Sequence, residues 1–325
     1  MKVAVTGATG HVGTCLVQQL LEKNHKVRVL VHHHPENLQN LPVEIVTGSL
    51  QEEETLEQLC NDRKIIFHLA AKISIGNEKE EPVYETNVTG TKKLVNTARK
   101  SGVKKLIHFS SVHTLQSFPH NKPLDENRPL VLDSNLIYEK SKAVAEKWVL
   151  EQNTTDFQVI VLNPTAIIGP CDKRPSYLGR VIQKIYQGSL PGLVPGGYNW
   201  VDVRDVAAAA IAAAEKGHPG ERYLLSGTWK SLQELAEIIC AHRNKKCLIP
   251  VFPFWLAYGA VPFITFFSRV ANKEPLYTRT SLTILKNAHP NISSEKARRE
   301  LGFSPRPLEE TLADTINWFK KHQYL

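Results

Sequence analysis

Lys2-Val3-Ala4-Val5-Thr6-Gly7-Ala8-Thr9-Gly10-His11-Val12-Gly13 sets a short β-branched run against a glycine turn and the start of a helical pattern. The glycines follow Gly-x-x-Gly-x-x-Gly spacing. Gly7 permits a tight turn, Gly10 lets the backbone approach a pyrophosphate, and Gly13 lets helix and strand pack closely. Thr9, His11 and Val12 complete the phosphate-facing turn, and the helix start behind it offers unpaired N–H groups and a partial positive charge. The glycine spacing alone would equally describe an ordinary strand-to-helix turn. Its placement between a first strand and a first helix is what points to a dinucleotide.

Outward from this turn, short apolar runs alternate with helical periodicity. Lys2–Thr6, Lys26–Val31, Val43–Val46, Ile65–Leu69, Leu106–Ser110 and Gln158–Leu162 read as strands. Val12–Lys23, Glu52–Asn61, Val83–Lys100 and Leu136–Gln152 read as helices. That alternation predicts an α/β fold, a Rossmann-type doubly wound parallel sheet with helices on both faces. Lys64-Ile65-Ile66-Phe67-His68-Leu69-Ala70-Ala71 is nearly all apolar, as a strand buried on both sides should be. Beyond residue 170 Pro and Gly gather, and helical patterns then dominate at Val203–Lys216, Leu232–Asn244, Thr280–Lys286, Ser294–Leu301 and Leu308–His322. A capping box, Ser231 with Glu234, opens one helix, and Gly302 stops another. The expected division is a dinucleotide-binding domain over 1–165, with chain returns from about 200–230, and a smaller, mostly helical substrate lobe over 166–325.

Composition narrows the class. The 325 residues are 42% hydrophobic and 22% charged, as in globular proteins, with a formal charge of +8. The Lys and Arg are scattered, without the aromatic-interleaved stripe of a nucleic-acid binder. A basic balance suits phosphorylated cofactors and anionic substrates. Cys15, Cys60, Cys171, Cys240 and Cys247 have neither disulfide-framework nor metal spacing, so no metal site and a reducing, cytoplasmic compartment are expected. The strand-like start leaves no room for a signal peptide. Val251 to Phe267 is almost wholly apolar, yet it is short for a membrane span and carries Pro253 and Pro262. It reads as a buried or pocket-lining segment or, in the alternative, as a peripheral membrane contact.

The end of the second strand bears on the cofactor. An NAD site places Asp or Glu there for the ribose hydroxyls. Here Val27-Arg28-Val29-Leu30-Val31 runs into His32-His33-His34 without a carboxylate. His32, with Arg28 nearby, could donate to a 2′-phosphate, so NADP(H) is favoured over NAD(H). His33 and His34 read as a solvated turn, and adjacent side chains make a poor metal site.

Tyr138-Glu139-Lys140-Ser141-Lys142 places a tyrosine and a lysine four apart on a predicted helix, hence on one face. A phenol with a pKa near 10 exchanges protons poorly at neutral pH. A neighbouring ammonium and a cationic nicotinamide stabilise phenolate, so Tyr138 can act as general acid or base. The strand Lys105–Ser111 ends in two serines, and ligands bind at such strand ends. Ser111 would stabilise charge on a substrate oxygen, while Ser110 would bond to backbone. An exposed helix pair and turn-closing serines are the plain alternatives.

Together these stretches resemble an extended short-chain dehydrogenase/reductase of the epimerase/dehydratase superfamily. They are the glycine turn, His68-Leu69-Ala70-Ala71, Asn87-Val88-Thr89-Gly90-Thr91, Phe109-Ser110-Ser111, Tyr138 with Lys142, Asn163 to Pro170, Val201 to Ala207 and Gly220-Glu221-Arg222-Tyr223. The chain looks most similar to the dihydroflavonol reductase-like and hopanoid-associated sugar epimerase-like branch, including the terminal Trp318-Phe319 helix. The resemblance implies that Leu69, Ala70 and Ala71 line the cofactor ribose, and Pro164 and Ile167 the nicotinamide. It places Ser49 and Leu50 at the adenine, where Ser49 replaces a usual aspartate. It puts His32 where a basic residue binds the 2′-phosphate, and makes Asn87 either a tie between neighbouring strands, direct or through a water, or a purely structural residue. Asn163-Pro164 stands where many sugar-nucleotide enzymes have Arg-Pro, which weakens a nucleotide-sugar reading.

Three functions follow. The first is NADP(H)-dependent reduction of an aldehyde or ketone, with a small-molecule carbonyl or alcohol as partner and Ser111, Tyr138 and Lys142 as catalytic residues. The second is a nucleotide-sugar epimerase or dehydratase with tightly bound NAD. The third is a non-catalytic dinucleotide sensor. Ile73–Asn77, His113, Tyr177, Trp200 and Val251–Phe267 are candidates for the pocket wall; a homodimer is compatible with the reading.

Overall fold

The structure, a computed structural model, describes residues 1–74, 80–270 and 277–325, except the side chains of Phe267, Arg269 and Val270. The chain runs β1 Lys2–Thr6, α1 His11–Glu22, β2 Lys26–Val31, β3 Glu44–Thr47, α2 Glu53–Cys60, β4 Ile65–His68, α3 Glu80–Tyr84, α4 Thr91–Lys100, β5 Lys105–Phe109, α5 Ile137–Glu151 and β6 Gln158–Pro164. It continues β7 Ala166–Ile168, α6 Tyr177–Gln187, β8 Gly197–Asp202, α7 Val203–Lys216, β9 Arg222–Leu225, β10 Thr228–Ser231, α8 Leu232–Ala241, α9 Phe254–Val270, α10 Arg279–Lys286, α11 Glu295–Leu301 and α12 Leu308–Lys321.

The main sheet has the order β3-β2-β1-β4-β5-β6-β9, and every pairing in it is parallel. The order reverses direction between β1 and β4, so the crevice at their carboxyl ends is where a doubly wound sheet binds its ligand. β4 is buried at every residue, because helices cover both faces. The core on one face joins Val3, Val5 and Leu16 to the alanine-rich α7; the other joins Ala4, Ile66 and Leu106 to Leu56, Leu94 and Val149.

Six strands were expected in this sheet and seven are present among the described residues. The seventh, Arg222-Tyr223-Leu224-Leu225, is too short to show a period, yet it pairs with β6 from Val161↔Arg222 to Pro164↔Leu225. The single helix expected over 83–100 is interrupted by a π-helical turn, Glu85–Gly90, where the Thr91 hydroxyl donates to the Asn87 carbonyl at 2.7 Å.

β10, β8 and β7 form a second, three-stranded sheet. With α6, α8, α9, α10 and α12 it encloses a separate core containing Ile182, Leu235, Leu282 and Phe319. The capping box of Ser231 and Glu234 is present, and Gly302 ends α11 at φ 66°. Ion pairs tie α7 to α12 and the chain before it: Arg204 bridges Asp202 and Asp314 at 2.7 and 2.6 Å, and Arg306 pairs with Asp205 at 2.7 Å. Among the described residues no helix is long and apolar enough to cross a membrane.

Candidate active site

The glycine turn is held by sterics on two sides. Gly7 adopts φ +70°, and a Cβ there would lie 2.7 Å from the Ala70 nitrogen; at Gly13 it would lie 2.1 Å from the Gly7 carbonyl oxygen. Gly10 differs, since its Cβ would meet only that oxygen, at 3.4 Å. It is the N-cap of α1 and supplies no side-chain cap, and no acidic residue stands in the first turn. The open N–H groups of the helix start therefore face a space that suits an anion.

That space is a cavity of about 600 Å³ lined by Thr9, Gly10, His11, Lys173, Arg174, Pro175, Arg180 and Gln183. The cationic residues were missed in the sequence, where 169–197 read only as loop-rich. Side chains lay the loop over the turn: His11 Nε2 bonds the Pro170 carbonyl at 2.9 Å, and Asn37 Nδ2 donates to the Thr9 carbonyl at 2.9 Å. Lys173 Nζ reaches the Asn37 carbonyl at 2.6 Å. Bare glycine, uncapped helix and three cations fit the phosphates of a dinucleotide.

At the β2 end His32 is exposed. Arg28 does not stand with it. Its guanidinium pairs with Glu44 and donates to the Gln58 and Asn61 carbonyls at 2.6 and 2.7 Å, capping the end of α2 instead. The neighbourhood is not free of carboxylates either, since Glu52 accepts from Ser49 Oγ at 3.1 Å and feels the charge of His32. Leu50 is buried behind Ser49. Leu69, Ala70 and Ala71 follow β4 with partial exposure. Pro164, buried, ends β6, and Ile167 lies in β7.

Ser111, Tyr138 and Lys142 come together at the tip of β5. Burial pushes the Tyr138 phenol above its usual value and outweighs Ser111, which pulls it down. This is opposite to the lowering expected from Lys142, because burial dominates; the Lys142 ammonium donates to the Phe109 carbonyl at 2.5 Å. Burial lowers Lys142 to about 8, against the pull of Glu146. Ser111 Oγ also accepts from the His113 N–H at 3.2 Å.

Glu146 was not foreseen. It lies one turn beyond Lys142, fully buried. Its carboxylate accepts from Ser110 Oγ at 2.5 Å, Thr114 Oγ1 at 2.8 Å and Asn163 Nδ2 at 2.8 Å, and Arg222 stands 3.2 Å away. Ser110 thus bonds this carboxylate, not backbone. Asn163 also donates to the Ser111 carbonyl at 3.0 Å. The position that departs from Arg-Pro is therefore a buried strut for the serine loop. Asn87 ties the chain after β4 to α5: it exchanges hydrogen bonds with the Lys72 backbone at 2.7 and 3.0 Å and donates to Ser141 Oγ at 3.0 Å.

A second cavity, about 370 Å³, is bounded by the neighbours of the serine and tyrosine: Val112, His113, Leu136 and Glu139, with Tyr198, Trp229 and Ile284 opposite. Among the described residues its lining contains no Lys or Arg. Burial lowers His113 to about 4 and raises Glu139, so both lean toward their neutral forms. Of the expected wall residues, among the described ones only His113 takes part. Trp200 is core, its indole N–H donating to the Lys230 carbonyl at 2.9 Å. Tyr177 packs against the second core, and Phe254, Ala257 and Tyr258 of α9 do likewise. Ile73 is exposed, and 75–77 lie outside the described residues. Among the described residues no cluster of metal-ligating side chains is present.

Sheet order, glycine turn and cationic cavity define a dinucleotide-binding enzyme of the Rossmann type. The profile of the NAD dependent epimerase/dehydratase family matches residues 3–226. The chain belongs to that family, within the extended short-chain dehydrogenase/reductases, and is an NAD(P)-dependent oxidoreductase of that type. It is 32% identical over 328 residues to "Sterol demethylase protein B" of Methylococcus capsulatus, covering 99% of each chain. It is 32% identical over 338 residues to a Synechocystis protein named as a candidate dihydroflavonol 4-reductase, covering 99% of this chain and 95% of that one. The crystal structure of gox2253 superposes with a TM-score of 0.84 at 33% identity, covering 98% of both chains.

Proposed function

We propose that the protein is an NADP(H)-dependent reductase of apolar aldehydes or ketones. The observation that carries this reading is the second cavity, which is lined by the chain neighbours of Ser111 and Tyr138 and, among the described residues, by no Lys or Arg. A nucleotide sugar brings a diphosphate, which calls for arginine or lysine; a neutral carbonyl compound does not. The names of the two relatives refer to a sterol and a dihydroflavonol, both fused-ring compounds.

The bound dinucleotide supplies the hydride. Tyr138, a phenol that is protonated at neutral pH and whose neutral form burial favours, donates its hydroxyl proton to the carbonyl oxygen. Ser111 donates a hydrogen bond to the same oxygen and stabilises its developing charge. Lys142, one turn along α5 and held by the Phe109 carbonyl, would stabilise the phenolate left behind. Glu146, through Ser110, Thr114 and Asn163, positions the serine loop. Arg174, whose charge is felt at Glu36 beyond the β2 end, and His32 favour a 2′-phosphate and hence NADP(H).

The test is a thermal-shift comparison of NADPH and NADH, followed by apolar aldehydes and ketones with the better ligand. Stronger stabilisation by NADPH and ketone-dependent NADPH oxidation are expected. Protein purified with one tightly held NAD per chain, and inert toward every carbonyl compound, would favour the epimerase/dehydratase reading that the family name suggests.

A further inference from the structure

α9 is apolar on both of its faces. Phe254, Ala257, Tyr258 and Val261 turn inward onto the second core. Trp255, Phe263 and Phe266, spaced to share the opposite face, are 74%, 70% and 62% exposed, with Leu256 at their edge. The approach to the helix continues the pattern, since Leu248 is 86% exposed and Phe252 is exposed as well. Large outward aromatics this close together mark an interaction surface, because a helix facing only water carries polar residues there.

Charge selects the occupant. From Ile238 to Lys273 the sequence has no Asp or Glu but contains Arg243, Lys245, Lys246, Arg269 and Lys273. Arg243 is tied to the Tyr186 carbonyl, whereas Lys245 and Lys246 are exposed on the loop that leads to Leu248. Exposed Trp and Phe beside unopposed lysines fit the headgroup region of an anionic bilayer, where an amphipathic ring sits at the interface and cations meet phosphate. A second copy of this chain would bring the same cations to the same face and repel. α9 is too short to span, so it would lie in the plane of the surface.

We propose that the outer face of α9, with Lys245 and Lys246, docks the protein on an anionic lipid surface. The placement has a consequence for the site. Tyr258 Oη of α9 and Thr283 Oγ1 of α10 are 3.1 Å apart, and Thr283 and Ile284 line the second cavity. One helix therefore separates the docked face from the substrate cavity, which would let apolar substrate be taken from the membrane.

Flotation of the full chain with vesicles tests this, comparing phosphatidylcholine alone with phosphatidylcholine containing phosphatidylglycerol. The wild type should float with the anionic vesicles at least about fivefold more than with the neutral ones. Trp255→Ser with Phe263→Ser should lower that binding about tenfold, and Lys245→Glu with Lys246→Glu should remove the preference for anionic lipid. Unchanged thermal stabilisation by NADPH shows that both variants are folded. Absence of flotation with anionic vesicles overturns the proposal, as does flotation undiminished in the serine variant. So does a wild-type dimer that the serine variant converts to monomer in light scattering, since a second copy would then be the occupant.

Discussion

The two cavities carry opposite chemistry. One is built by backbone, a bare glycine turn and a helix start, under Lys173, Arg174 and Arg180. The other is built by side chains drawn from the loops after β5, from α5, β8 and β10, and from α10, and holds no Lys or Arg among the described residues. The first is made for charge and the second for its absence. An enzyme that joins an anionic coenzyme to a neutral substrate needs both, with its proton donor between them.

Four changes test that contrast, taken in descending size of effect. Gly13→Ala should be the most damaging, because its Cβ would lie 2.1 Å from the Gly7 oxygen and 2.7 Å from Ala8 Cα. The turn must move, and calorimetry should find no dinucleotide binding together with a lowered melting temperature. Gly10→Ala sharpens the point: with its nearest atom at 3.4 Å, the protein should keep its stability and lose affinity alone.

Ile284→Arg places a cation in the apolar cavity. An unpaired charge there costs about 2 kcal/mol, so kcat/KM for an apolar ketone should fall about 30-fold. NADPH affinity should stay as it was; a matching loss of affinity would show that the cavities are not separate. Arg174→Glu is the converse, expected to weaken NADPH about tenfold through loss of a charge-assisted contact, with a smaller effect at high salt. An equal loss for NADH would locate Arg174 at the pyrophosphate, not at the 2′-phosphate.

The smallest effect is on pH dependence. His68, buried between Thr6 Oγ1 at 2.7 Å and Thr91 Oγ1 at 2.9 Å, is lowered by burial to about 3. Below the ordinary imidazole value near 6.5 the unfolded chain takes up a proton that the native state refuses. Stability therefore rises with pH and falls on acidification, by at most about 1.4 kcal/mol per pH unit from this residue. Urea midpoints at pH 7 and pH 5 measure the slope, and His68→Asn should flatten it. His113, a third exposed, shifts in the same direction with a weaker effect on stability.

The same contrast explains what could be read in the sequence. The coenzyme side was legible because its determinants are local: glycines three apart, a strand before and a helix after, and a tyrosine and lysine one turn apart. β1 and β2 were found at their true limits for the same reason. The substrate side depends on packing between distant segments. Nothing local distinguishes Trp200, which is core, from Trp229, which lines the cavity. β9 is four residues long and acquires its role only by pairing with β6. Glu146 carried a signal that went unused, a carboxylate one turn past Lys142 on the face already known to turn inward. Lys173 and Arg174 follow Gly169-Pro170, and only the fold shows that this loop returns over the glycine turn.

Under the proposed function Tyr138 is the proton donor. Single-turnover reduction of an apolar ketone by the Tyr138→Phe variant, with NADPH affinity measured on the same sample, tests it directly. The expected result is hydride transfer slowed about 10²-fold or more with NADPH affinity unchanged. Transfer at close to the wild-type rate by fully loaded protein would contradict it.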